Sequence, residues 1–167
     1  MQVTDGLLTD NQTLEINVTD AFEGRVVDAP IEGARVFIDT NGNNEQDEGE
    51  PSGKTDENGY FRIPVSSTLT GSAAKIISIG GKDIVTGKLL PGLLLIGEVP
   101  ENKTEFTYLS ALTTVLYWAE GVEETARALE VMGVKGEVEA LHKSDGWKDA
   151  EDGNSSAKDN QLSLIHI

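Results

Sequence analysis

Six oxygen-bearing side chains in one stretch have a spacing that suits a cation. Asp39, Asn41, Asn43, Glu45, Asp47 and Glu50 fall at positions 1, 3, 5, 7, 9 and 12 of a single loop, the ligand positions of an EF-hand-like calcium loop. Ca²⁺ takes six to eight oxygens at about 2.3–2.6 Å, and alternate residues of a tightly curled loop can point them inward together. Asp39, Asn41, Asn43, Asp47 and Glu50 are the side-chain candidates. Glu45 sits where such loops offer a backbone carbonyl, and Glu50 sits where a carboxylate closes the shell with both oxygens. The loop departs from the pattern at position 6, where Asn44 replaces the glycine of the sharp turn; Asn tolerates the left-handed backbone better than most residues. Downstream, Asp56 and Asn58 are placed to complete a shared or second site. Between Asp39 and Asn58 seven acids stand against one base, a net charge of −6. The sequence therefore predicts a Ca²⁺ site whose occupation stabilises the folded chain. Mg²⁺, which prefers a tight octahedral shell and keeps its waters, suits it less.

Other chemistries find little support. There is no cysteine, so disulfides, thiolate metal sites and cysteine nucleophiles are excluded together. Two histidines, His142 and His166, leave little for imidazole ligation or Ser-His catalysis. Gly80-Gly81 and Gly87 read as turns, since no phosphate-cradling strand–loop–helix pattern surrounds them. The carboxylates cluster in one loop, with no apolar pocket implied that could raise one of them to act as an acid. An enzyme is not expected. The net charge of −16 argues against nucleic acid or an anionic membrane as partner, because both are polyanions. Asp145, Asp149 and Asp152 fit one face of a solvated helix, and Trp147 reads as a packing anchor.

These residues need elements to hold them. Leu14, Ile16 and Val18 alternate with polar residues, as do Ala34, Val36 and Ile38, which is the period of a half-buried strand. Phe22–Asp28, Tyr60–Ile63, Ala74–Ile79 and Leu93–Val99 read as further strands, with Asn58-Gly59 a turn before the second of them. From about residue 106 the period becomes helical. Tyr108, Leu109, Leu112, Val115, Leu116 and Ala119 recur on one face, and Val122–Met132 forms a second helix, with a short third one over Glu137–His142. The expectation is a mainly β chain with an α appendage: an N-terminal strand or linker over 1–20, a calcium-binding β-sandwich over 21–104 and a helical region over 105–167. No stretch is long and apolar enough to span a bilayer, and no leader is visible at the start. The chain reads as soluble, or as a piece of a longer protein.

The run Gly24-Arg-Val-Val-Asp-Ala-Pro-Ile-Glu-Gly-Ala-Arg-Val-Phe-Ile-Asp39, the acidic loop, Gly49-Glu-Pro51 and Thr55-Asp-Glu-Asn-Gly-Tyr-Phe61 together resemble the B-type domains of bacterial surface proteins. These include serine-aspartate repeat adhesins, collagen-adhesin B domains and carboxypeptidase regulatory-like domains. Ile79-Gly-Gly-Lys-Asp-Ile-Val-Thr-Gly87 and Thr107-Tyr-Leu-Ser-Ala-Leu-Thr-Thr-Val115 are similar to segments of large repeats-in-toxin-type adhesins, with Ala111 where Pro is usual. The resemblance implies a Greek-key, prealbumin-like sandwich that calcium rigidifies, in an extracellular or cell-surface module. Its partners would be neighbouring domains of a longer surface protein, with an extracellular glycan or protein as a further ligand. The competing readings are a carbohydrate- or peptide-binding module and an accessory domain of a secreted hydrolase. Some relatives carry a Lys–Asn isopeptide bond, but no spacing here picks out the required trio.

Overall fold

The computed structural model describes residues 20–65, 74–119 and 122–131. Nine strands and two helices follow one another in this part of the chain: β1 (Ala21–Val26), β2 (Ile31–Glu32), β3 (Arg35–Asp39), β4 (Ser52–Lys54), β5 (Tyr60–Pro64), β6 (Lys75–Ile79), β7 (Lys82–Asp83), β8 (Leu94–Glu98), β9 (Thr107–Leu109), α1 (Ala111–Trp118) and α2 (Val122–Val131). The longer strands form two sheets, in the orders β5-β1-β9 and β4-β3-β6-β8, and β2 and β7 pair separately. The architecture is the expected one, mainly β with helices after the strands. The expected strand at Leu14–Val18, the third helix and the Asp145–Asp152 segment with Trp147 lie outside the described residues.

Alternation decides which side chains go where. Phe22 and Val26 of β1, Val36 and Ile38 of β3, Phe61 and Ile63 of β5, and Ile76 of β6 turn between the two sheets, where they form the main core with Ile31, Leu95 and Leu109. Phe37, Ile77 and Ile96, which lie side by side across the larger sheet, face the other way. They are buried as well, because Tyr117 of α1 packs over them. The larger sheet is thus covered on both faces, which is why β3 and β6 read as nearly continuous apolar runs.

One expected element differs. Tyr108 and Leu109 fit a helical stripe with Leu112 and Val115, yet they form β9, which pairs in parallel with β1 through Gly24–Thr107, Arg25–Tyr108 and Val26–Leu109. Gly24 makes this possible: a Cβ there would run into the Thr107 carbonyl and the Phe61 ring. The helix starts three residues later than its stripe, at Ala111, behind the N-cap Ser110, whose hydroxyl accepts from the Thr113 N–H while the Ser110 N–H donates to Thr113 Oγ1. The sheet therefore takes in a strand from the region expected to be helical.

The helix is fastened to β8, the edge of the larger sheet. Thr113 Oγ1 donates to the Ile96 carbonyl at 3.0 Å, and the Ile96 N–H donates to Thr114 Oγ1 at 2.9 Å. Two adjacent hydroxyls thereby satisfy both backbone groups of one edge residue and blunt that edge against other chains.

Candidate metal centre

The acidic loop runs from the end of β3 to the start of β4 and is organised by Asp39. This carboxylate is fully buried, with 0% side-chain exposure. Its Oδ1 accepts from the N–H groups of Asn41 and Gly42, at 3.2 and 2.6 Å. Its Oδ2 accepts from the Asn44 N–H at 2.8 Å and faces Lys75 Nζ at 3.4 Å. Three backbone donors on one carboxylate force the chain to curl round it. Asn44 turns back at φ +63°, the left-handed conformation that position 6 requires. The substitution of Asn for Gly thus leaves the turn intact.

The remaining candidates converge on the other side of the curl. Asp47 Oδ2 accepts from both Asn41 Nδ2 and Asn43 Nδ2, each at 2.7 Å. Asn41 Oδ1 accepts from the Asn43 N–H and Asn43 Oδ1 from the Glu45 N–H, so the odd positions step round the loop in successive turns. Glu50 folds back over the start of the loop. Its Oε1 accepts from the Thr40 N–H at 2.7 Å and from Thr40 Oγ1 at 2.9 Å, and its Oε2 from the Asp47 N–H at 3.1 Å. The structure therefore brings Asp39, Asn41, Asn43, Asp47 and Glu50 into one hydrogen-bonded curl, and Glu45 joins it through its backbone.

Asp56 stands apart. β3 and β4 pair through Arg35–Lys54 and Phe37–Ser52, so the acidic loop lies at one end of this pair and Asp56 beyond the other. Its Oδ1 accepts from the Asn58 and Tyr60 N–H groups and shapes the turn into β5. Its nearness in sequence hides the length of β4, which has no apolar alternation by which to be read.

Spacing alone also misses Lys75. It pairs directly with Asp39 across the β3–β6 ladder, its side chain is 5% exposed, and its Nζ also reaches the Gly42 carbonyl at 3.4 Å. Tyr117 stacks beneath it, 5.8 Å from Nζ to the ring centroid. The signal was a lone base opening an otherwise apolar strand. Burial works to raise the Asp39 carboxyl, but hydrogen bonds from Asn44 and Gly42 and the Lys75 charge outweigh it and hold the carboxyl below its ordinary range.

Among the described residues no three Asp, Glu or His side chains converge as a metal-binding group. A cation shell here must draw on the Asn amide and backbone carbonyl oxygens beside Asp47 and Glu50, a donor set that suits hard Ca²⁺ rather than a transition metal.

No family model matches the chain, and no curated protein matches it. Among solved structures it is similar to the crystal structure of the major plantain pollen allergen Pla l 1, at 16% identity and a TM-score of 0.33, over 56% of this chain and 90% of that one. The fold assignment rests on the strand pairing itself.

Proposed function

We propose that this chain is a calcium-stabilised structural or adhesive module of a secreted or cell-surface bacterial protein, in which the ion clamps the Asp39–Glu50 loop. The observation that carries the reading is the curl itself. A left-handed residue stands at position 6, Asp47 meets two odd-position amides, and Glu50 closes back from position 12. Asp47 here takes its positive partners from two amide hydrogens. A divalent ion would offer that carboxylate a far larger charge, with Asn41, Asn43 and Glu50 supplying further oxygens. Asp39 acts mainly as the organiser of the backbone, since three N–H groups and Lys75 already hold it. Among the described residues no helix is long and apolar enough to cross a membrane.

A thermal melt in EDTA, repeated with excess Ca²⁺, tests the reading. Ca²⁺ should raise the Tm, in proportion to the logarithm of its concentration once the site is saturated. Combining Asp47→Ala with Glu50→Gln should remove the shift while leaving the sandwich folded. Equal melting temperatures with and without Ca²⁺ in the unmutated chain would falsify the assignment.

A further inference from the structure

The outer face of the β5-β1-β9 sheet carries an aromatic groove at the far end of β4 from the acidic loop. In the register of the sheet, Tyr60, Arg25 and Tyr108 lie side by side across three strands. Phe106, just before β9, meets Tyr60 edge-on at 6.1 Å and Tyr108 at 5.1 Å. Arg25 is 7% exposed. Its guanidinium sits 5.0 Å from the Tyr60 centroid, and its Nε donates to the Asn58 carbonyl at 2.8 Å. The rings therefore rest on a fixed floor, while Tyr60 remains 42% and Phe106 41% exposed. Two large aromatics held open on a rigid sheet are a pre-organised surface rather than incidental exposure.

The rim of this groove identifies its ligand. Lys54, Asp56, Glu23 and Arg62 line it beside Tyr60 and Phe106, around a cavity of about 490 Å³, a size that suits a small ligand. In the rim two cations and two carboxylates balance, and Arg25 in the floor is 7% exposed and turned to the Tyr60 ring and the Asn58 carbonyl. A charged ligand meets both signs at the rim, and neither predominates there. Lys and Arg only donate hydrogen bonds, whereas ionised Asp and Glu only accept them. A ligand group that both donates and accepts satisfies such an alternating rim, and the hydroxyl is that group. Glu23 and Arg62 lie 3.4 Å apart across the β1–β5 ladder, so adjacent hydroxyls could bridge them. An extended peptide would instead seek main-chain partners along a free strand edge, and this groove lies on a sheet face.

We propose that the groove binds a neutral carbohydrate chain, with the C–H face of a sugar ring against Tyr60 and Phe106 and its hydroxyls on the Glu23–Arg62 pair. This does not rest on the calcium reading. The test is an array of neutral gluco-, manno-, galacto- and xylo-oligosaccharides probed with the full chain, followed by calorimetric titration of the sugars that bind. Saturable binding is expected. Phe106→Ala should weaken it about tenfold or more, Arg62→Ala should weaken it also, and Lys82→Ala, in the exposed pair with Glu32 outside both sites, should leave it unchanged. In the unmutated chain the bound sugar should shift the Tyr60 and Phe106 ring resonances, a readout independent of how well the variants fold. The proposal is overturned by an array without neutral hits, by rings that do not respond, by equal affinity in a folded Phe106→Ala, or by capture of peptides or acidic glycans alone.

Discussion

Burying Lys75 against Asp39 makes each group dependent on the other. Removing one partner of a buried pair strands a charge, at a cost of about 3–5 kcal/mol, whereas removing both charges is far cheaper. Lys75→Met should therefore lower stability by about 3–5 kcal/mol in chemical denaturation. Adding Asp39→Asn should recover part of the loss: the amide oxygen can keep the Asn41 and Gly42 N–H groups, while the Asn44 N–H loses its acceptor. Ser78 is the converse case. Its hydroxyl is buried between the sheets with no hydrogen-bond partner among the described residues, so Ser78→Ala should stabilise the chain by about 1 kcal/mol, read as an increase in the denaturation midpoint. The residues of the loop curl were legible in the sequence because a curled loop imposes a local spacing. Lys75 was not, because its place beside Asp39 comes from strand pairing, which no local spacing records. Asp56 misled for the same reason: a short intervening strand carries it away from residues that precede it closely in sequence.

At the scale of elements, α1 is held by two threonines as much as by apolar contact. Thr114→Val keeps the shape but leaves the Ile96 N–H without its acceptor, at a cost of about 1–3 kcal/mol. Hydrogen exchange should show the Ile96 amide losing protection while the β3–β6 amides keep theirs. The five longer strands were readable because each has an apolar alternation or an apolar run of its own. β2, β4 and β7 are two or three residues long and exist through their partners, so nothing in their own composition marks them. β9 was misread for a physical reason. Apolar residues at 108, 109, 112 and 115 satisfy helical spacing whether or not the first two are helical. What decides is the Ser110–Thr113 capping box, which starts the helix after them, and the open space over Gly24, which lets the earlier residues join the sheet.

Across the whole molecule, acid acts on the carboxylates in opposite directions. Asp39 lies below its ordinary value of 3.8. Its contribution to stability is present above that value and is lost as the pH falls through the lower, folded one. Asp83 lies below it as well: burial opposes this, but hydrogen bonds from Thr86 and Val85 prevail. Asp28 is raised, first by burial and then by the Asp83 charge. The folded state therefore holds that proton more tightly than the unfolded chain does, and the penalty of ionising Asp28 is relieved as the pH falls through its folded value. Asp28→Asn should raise the Tm at neutral pH, and the gain should shrink in acid as the unmutated carboxyl takes up its own proton. Equal gains at both pH values would sink this account.

The parallel pairing of β1 with β9 also governs the order in which the molecule can be made. Residues 24–26 begin the sandwich and residues 107–109 complete their sheet, so the Val27 N–H waits for the Leu109 carbonyl, its partner at 2.8 Å. Closing so long a loop must precede any reward from the contact, which slows folding. On the ribosome, β1 has one flank open until the chain has emerged past Leu109. A nascent chain stalled before that point holds β3 and β6 ready to pair but a core lacking Leu109, the state in which chaperones would meet it.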